Sequence, residues 1–330
     1  MWAYVVRRLL YNIPVYLGII LVVMIALRVN DPVTAYLGKN ASQEQIDLTR
    51  ADFGLDRPFY EQYVSFVWRL VTLNFDERSW ETEQPVGEVI GAAIPPTMMI
   101  TLPQLVLTAV LSICVGLISA FFRGRPADKL LVFFAVLGMS ISYLVYIVMG
   151  QYFGAYWLNE QTGGELFAIQ GYDTRLSEPT FWFTSLPTAV GSWITYCALP
   201  VLIGVIVAMG YDTRFYRAVM VEESTKDYIS TAMAKGVGKR RIMFVHMLKN
   251  AMIPIITRVM ITLPFIITGS ILAEYYFNIP GMGATLLQAI NAKDFPIVQT
   301  FTALFAALFI ISNILTDVLY ALVDPRVRLQ

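Results

Sequence analysis

Three features of the sequence predict an all-α membrane protein with six transmembrane helices. First, 57% of its 330 residues are hydrophobic and only 15% are charged, where soluble domains carry about 25% charge; the mean hydropathy is +0.60. Second, a bilayer crossing takes about 20 apolar residues, and six runs satisfy this: 9–29, 97–122, 130–153, 186–210, 251–276 and 296–323. Third, lysine and arginine alternate between rich and poor segments, which is the asymmetry that sets topology. With the N-terminus inside, the inner segments hold 15 basic residues and the outer ones 7. Both termini are therefore expected in the cytoplasm.

The elements follow in order. Arg7 and Arg8 precede the first apolar run, which has no small-residue cleavage site behind it, so it reads as a retained span with an N-terminal segment over 1–29. The segment 30–96 is outside and acidic, with amphipathic pieces such as Tyr60 to Leu70, and is long enough for a small extracytoplasmic cap. The remaining five spans form a core over 97–330, interrupted by a basic inner loop at 211–250 with a helical pattern and a break at Gly236 and Gly238. Cys114 and Cys197 both lie in apolar runs and read as packing residues rather than disulfide or metal partners.

Chemistry is scarce. Gly238-Lys239 fails as a phosphate loop, because Met233 stands at the first glycine and Arg240 at the hydroxyl position. Gly281-Met-Gly283 fails as a dinucleotide fingerprint at Leu286. The single histidine, His246, cannot build a triad or metal site alone, so its role is structural or interfacial. Intramembrane charges are functional candidates by default; here they are Glu274 and Asp317, with Arg28 and Arg258 as possible counter-charges. Positions near span ends favour a structural role over proton relay. An ion-gradient-driven secondary transporter would want paired mid-membrane acids in two repeats, and a membrane enzyme would want a nucleophile and base; the sequence supplies neither.

The inner loop is the richest feature. Ser230 to Lys235 is helix-forming, Gly236 and Gly238 permit a turn with positive φ, and a charged start at Lys239, Arg240 and Arg241 leads into an apolar face of Ile242, Met243, Val245, Met247 and Leu248. Such a short helix can enter a groove on a soluble partner; an amphipathic helix on anionic lipid explains the charge equally well. The pattern Arg217, Met220, Glu222, Asp227-Tyr228, Thr231-Ala232, Ala234-Lys235-Gly236, then Arg241, His246, Leu248, Asn250, Ala251 and Pro254 resembles the cytoplasmic loop of permease subunits of ATP-binding-cassette (ABC) peptide importers. The superfamily pattern is E-A-A-x3-G-x9-I-x-L-P. This chain keeps Ala232 and Gly236 but has Ser230 and Thr231 for E-A and His246 and Lys249 for I and P. Those departures resemble the oligopeptide and dipeptide branch.

The resemblance spans nearly the whole chain. It runs through Tyr4, Arg7-Arg8-Leu9-Leu10 and Pro14, Gly54 to Pro58, Pro85-Val86, Pro95, Thr97, Asp128 and Leu199-Pro200. It continues through Glu274, Phe277, Pro280 to Gly283, Asp294 to Pro296, Asn313, Asp317 and Asp324 to Arg328. The Pro-Gly usual before Asp31-Pro32 is missing, and Ser142 replaces a proline of the third span. The arginines near the N-terminus and the long outer segment fit the first, B-type, member of the permease pair.

The resemblance implies a type I ABC importer permease, non-catalytic, in a bacterial or archaeal plasma (inner) membrane. It implies a second homologous permease, two ABC ATPase subunits, an extracytoplasmic solute-binding protein, contact with membrane lipid and none with nucleic acid. No cofactor is expected on this chain, with ATP-Mg on the ATPases. It assigns ATPase coupling to Ser230, Thr231, Ala232, Lys235, Gly236, Gly238, Arg240, Arg241 and His246, and structural roles to the intramembrane charges Arg258, Glu274 and Asp317. Di- or oligopeptides are the implied substrate.

Overall fold

The computed structural model describes residues 2–29, 31–38, 41–268 and 271–323, with backbone alone for 2–5, 35, 263–268 and 319–323. The terminal Asp324 to Arg328 pattern lies outside the described residues.

Helix α1 (Trp2–Ala26) stays continuous through Pro14. In lipid, backbone groups have no water to bond, so a long helix persists where a soluble one would break. Three short helices follow. α2 (Pro32–Leu37) is started by the Asp31 carboxylate, which accepts the Thr34 N–H, and by Pro32 in its first turn. α3 (Gln43–Asp52) begins with a capping box between Ser42 and Gln45. α4 (Phe59–Thr72) buries Phe66 and Leu70 against Ile20 and Met24 of α1 and Ala303. Phe53 stacks on Trp80 at 4.1 Å, Tyr36 meets both edge-on, and Trp80 packs on Phe295 at 5.1 Å. The Ser79 hydroxyl donates to Asp294. This segment is thus sewn to the first and last long helices through aromatic and polar contacts.

α5 (Val86–Phe121) begins at Val86, earlier than the expected 97, and carries Pro95, Pro96 and Pro103 within one helix. α6 (Pro126–Ser140) and α7 (Tyr143–Met149) form the third span as a bent pair, turning by 93°. Ile141 there is extended, with φ −91° and ψ 136°. A wider helical stretch with i→i+5 hydrogen bonds (Gly150–Trp157) continues α7 into α8 (Leu158–Thr162). After a 3₁₀ turn (Thr174–Ser177) come α9 (Pro179–Thr184), α10 (Leu186–Trp193) and, through a second wide turn, α11 (Leu199–Glu223). The inner loop holds α12 (Asp227–Ala234); α13 (Lys239–Arg241) then runs through a third wide turn (Ile242–Met247) into α14 (Leu248–Thr268). The chain closes with α15 (Ile271–Tyr276), α16 (Met282–Ala292) and α17 (Phe295–Val323).

Among the described residues five helical stretches are long and apolar enough to cross a bilayer, and the bent pair makes six. α11 is the central helix, packed on α5 and α6, while α14 and α1 pack on α17. Close approach sets this arrangement: a Cβ on Gly210 would lie 2.7 Å from the Ala135 carbonyl oxygen, so only glycine lets α11 meet α6. Val106, Val110, Phe133 and Phe134 are more than half exposed, as expected of side chains whose solvent is lipid.

Candidate functional site

The inner loop is built from the end of α11 outward. Glu223, buried in the last turn of α11, accepts from the Lys226 amine and from the Tyr228 hydroxyl at 2.6 Å. Burial, and then the adjacent Glu223 carboxylate, push the Tyr228 hydroxyl up to about 12, so it remains a donor throughout the physiological range. These contacts fix where α12 starts. Ile229 and Ala232 hold its inner face in a core with Leu117, Tyr216, Met220, Ile242, Met243 and Met247.

The end of α12 is a Schellman motif. The Val237 N–H donates to the Ala232 carbonyl at 3.1 Å and the Gly236 N–H to that of Met233 at 2.9 Å, with Gly236 at φ +76° and Val237 packed on the core. Gly236 therefore needs to be glycine. Gly238, which also permitted positive φ, instead has φ −60° and caps α13, a conformation open to any residue. What α12 leaves exposed is Asp227, Ser230, Thr231, Met233 and Ala234, followed along the chain by the exposed Lys235, Arg240 and Arg241.

The apolar face expected after the turn is placed differently. Ile242, Met243 and Met247 face the chain's own core, leaving Phe244 and Val245 about half exposed. The stretch from Lys239 is not a separate short helix but the beginning of the next span. His246 lies half-buried in the wide turn, its carbonyl accepting the Asn250 amide at 3.1 Å. Lys239 places its amine 4.5 Å from the centre of the Phe121 ring, a cation–π contact.

Comparison with known proteins decides what this architecture belongs to. Residues 112–329 match the family described as binding-protein-dependent transport system inner membrane component, and residues 1–101 match its N-terminal domain. The chain belongs to this family. It is similar to the probable peptide ABC transporter permease protein y4tP of Sinorhizobium fredii, with 30% identity across 99% of this chain and 100% of the relative. It is likewise similar to the glutathione transport system permease protein GsiC of Shigella flexneri and of Escherichia coli K12, with 32% identity across 98% of each chain. The protein is a multi-pass inner-membrane permease subunit of an ABC importer.

In this permease the intramembrane charges are all engaged, though not in the expected pairs. Arg258 donates through Nε to Asp212 of α11 at 2.8 Å rather than to Glu274 or Asp317. Asp317 meets Arg8 of α1, and Arg28 reaches the side-chain oxygen of Gln62. Glu274 is seated at the start of α16: its carboxylate accepts the Thr97 hydroxyl at 2.8 Å and the N–H groups of Gly283 and Ala284 at 2.8 and 3.0 Å, while the Met282 N–H donates to Thr97 Oγ at 2.7 Å. A Cβ on Gly281 would sit 2.4 Å from the Glu274 carboxyl carbon, so glycine is what lets the chain pass so close to that carboxylate. Sequence reasoning missed one two-pronged ion pair. Arg217 of α11 grips Asp128 of α6 with two hydrogen bonds of 2.7 Å, and Ser119 and the Gly124 N–H join them. Both residues stood in the resemblance pattern, but nothing in the spacing paired them.

Proposed function

We propose that this permease is the B-type half of a di- or oligopeptide importer and that α12 is where a cytoplasmic ATPase couples to it. The observation that carries the coupling role is the contrast between the two faces of α12. Its inner face is locked by Glu223, Tyr228 and the Schellman turn, and its outer face presents small side chains around one exposed methionine. Three cations, Lys239 to Arg241, begin a long helix with no acid in its first turn. Cations there oppose the helix dipole at about 0.3–1 kcal/mol each, a cost that an acidic groove on a partner repays.

On this reading both termini and the loop 211–250 face the cytoplasm, and 30–96 faces out to receive a solute-binding protein. A second homologous permease completes the pathway, lipid surrounds the spans, and ATP-Mg sits on two ATPase subunits, with none on this chain. Ser230, Thr231, Ala232, Lys235, Gly236, Gly238, Arg240, Arg241 and His246 belong to the coupling region, Ala232, Gly236 and His246 by shaping it. Peptide transport is supported by the relatives, whose names specify a peptide and glutathione, itself a tripeptide. No observation favours a secondary transporter, since Asp317 is engaged with Arg8 and Glu274 with the start of α16.

The test is co-purification of the ATPase with permease carrying Arg240→Glu and Arg241→Glu. ATPase recovery should fall at least about tenfold, the size expected for lost charge-assisted contacts, with permease insertion unchanged. Undiminished recovery contradicts the docking role.

A further inference from the structure

Between α12, the end of α5 and the start of the span that begins at Lys239 lies a cavity of about 270 Å³, just under the range of ordinary ligand sites, about 300–1,000 Å³. Its walls include Phe121, Ile229, Met233, Ile242, Met243 and Met247, and only two lining residues are polar, Ser224 and Lys239. The Ser224 hydroxyl already donates to the Val221 carbonyl at 2.6 Å. Water therefore finds few partners inside, whereas a hydrocarbon chain gains dispersion contacts with every wall. Three of those walls are methionines, whose unbranched thioethers adapt to a flexible occupant. The cavity also stands at the membrane boundary, since Phe121 ends one candidate span and Lys239 begins another. Ile118, Phe244 and Val245, close in the chain to lining residues, are 44, 52 and 50% exposed, as side chains facing lipid are.

Charge at the cavity has one sign. Lys239 is the single charged lining residue, and its ammonium rests 4.5 Å from the centre of the neutral Phe121 ring, which leaves the charge uncompensated. Arg123, Arg125, Arg240 and Arg241 are exposed nearby in the chain. The acids closest in sequence are the exposed Glu222 and Asp227, and Glu223, which Lys226 and Tyr228 occupy; none of the three lines the cavity. We propose that this cavity takes one acyl chain of an anionic phospholipid of the cytoplasmic leaflet, with the phosphate held by Lys239. The proposal goes beyond the peptide reading and uses only its expectation that this loop faces the cytoplasm, the side where the leaflet is anionic. An apolar side chain of the ATPase is the competing occupant, and the position at two span ends favours the lipid. Arg240 and Arg241 do not line the cavity, and successive helical residues point about 100° apart, so both stay available to the ATPase.

The assembled transporter, in phosphatidylcholine nanodiscs doped with a probe lipid, provides the test. The probe is phosphatidylglycerol or phosphatidylcholine with a photoreactive diazirine at the end of one acyl chain, and the labelled residues are located by mass spectrometry. Chain ends of free lipid meet at the bilayer centre, about 15 Å from the boundary, so labelling of Ile229, Met243 or Met247 reports a seated chain. Phosphatidylglycerol should label these residues about fivefold more than phosphatidylcholine, the ratio that corresponds to about 1 kcal/mol for one lysine at an anionic lipid. Lys239→Gln should bring that ratio down to the one read at the lipid-facing Val106 and Val110. No labelling, equal labelling by the two probes, or a ratio that Lys239→Gln leaves unchanged overturns the proposal. Labelling that appears only when the ATPases are removed assigns the cavity to the ATPase and overturns it as well. The comparison of probes in the unmodified chain needs no variant, so a misfolded Lys239→Gln leaves the test intact. Failure here sinks the lipid site alone, whereas absent ATP-driven peptide uptake sinks the functional reading.

Discussion

Glu274 supplies acceptors to amides that a helix start otherwise leaves to water, and water is scarce where it sits. Removing the carboxylate by Glu274→Ala strands the N–H groups of Gly283 and Ala284, at about 1–3 kcal/mol for each buried donor. Glu274→Gln keeps one acceptor oxygen and should recover part of the loss. The thermal midpoint of the detergent-solubilised permease reads both, and equal stability of Glu274→Ala and wild type would contradict the capping role. Gly281→Ala drives a methyl into the same carboxylate and should cost about 1–3 kcal/mol in the same measurement. A third residue gives a pH signature. Arg175 donates to both oxygens of Asp173, at 3.0 and 2.8 Å, and holds that carboxyl below its ordinary range. A depressed carboxyl stabilises fully above the unfolded value, about 4, and loses that contribution as pH falls through the lower folded one. Amide exchange over 173–177 should therefore quicken below about pH 4, and Asp173→Asn should erase that acid response. An unchanged response in the variant would assign it to another group.

At the scale of elements, α12 is short, and isolated helices of eight residues are unstable in water. It persists because both ends are fixed: Tyr228 and Lys226 on Glu223 at one, the Schellman turn at the other. Gly236→Ala should cost about 1 kcal/mol through its left-handed backbone, read as faster amide exchange over 227–237. Gly238→Ala should leave exchange unchanged, because φ there is −60°. The sequence pointed to this break but could not divide it between the two glycines, since both are compatible with either conformation. It also suggested a separate short helix after the turn, where the structure instead begins the next span. Ile242, Met243 and Met247 form an apolar stripe that equally fits a partner's groove or the chain's own core, and only the position of Leu117 and Tyr216 decides between them. The bend of the third span was illegible for a similar reason. Ser142 replaces the proline that would mark it, yet Ile141 is extended and the helices diverge by 93°.

Across the whole molecule, the crossings were legible because apolar length is a one-dimensional property, carried by the sequence without reference to neighbours. Their ends were not: α5 runs back to Val86 and α11 forward to Glu223, because helices in this fold continue past the lipid wherever tertiary contacts cover them. Charge partners were equally hidden. Arg217 and Asp128, or Arg258 and Asp212, meet only after α11 has packed between its neighbours. The resulting object is a lipid-facing bundle with an aromatic-pinned segment after α1 and a short helix, α12, held at both ends in the loop after α11. The most direct measurement reconstitutes the permease with its partner permease, ATPases and binding protein in proteoliposomes, and follows peptide uptake with ATP and with an ionophore. Uptake that requires ATP, survives the ionophore and is lost with Arg240→Glu and Arg241→Glu is the predicted result; uptake abolished by the ionophore and indifferent to ATP would contradict it.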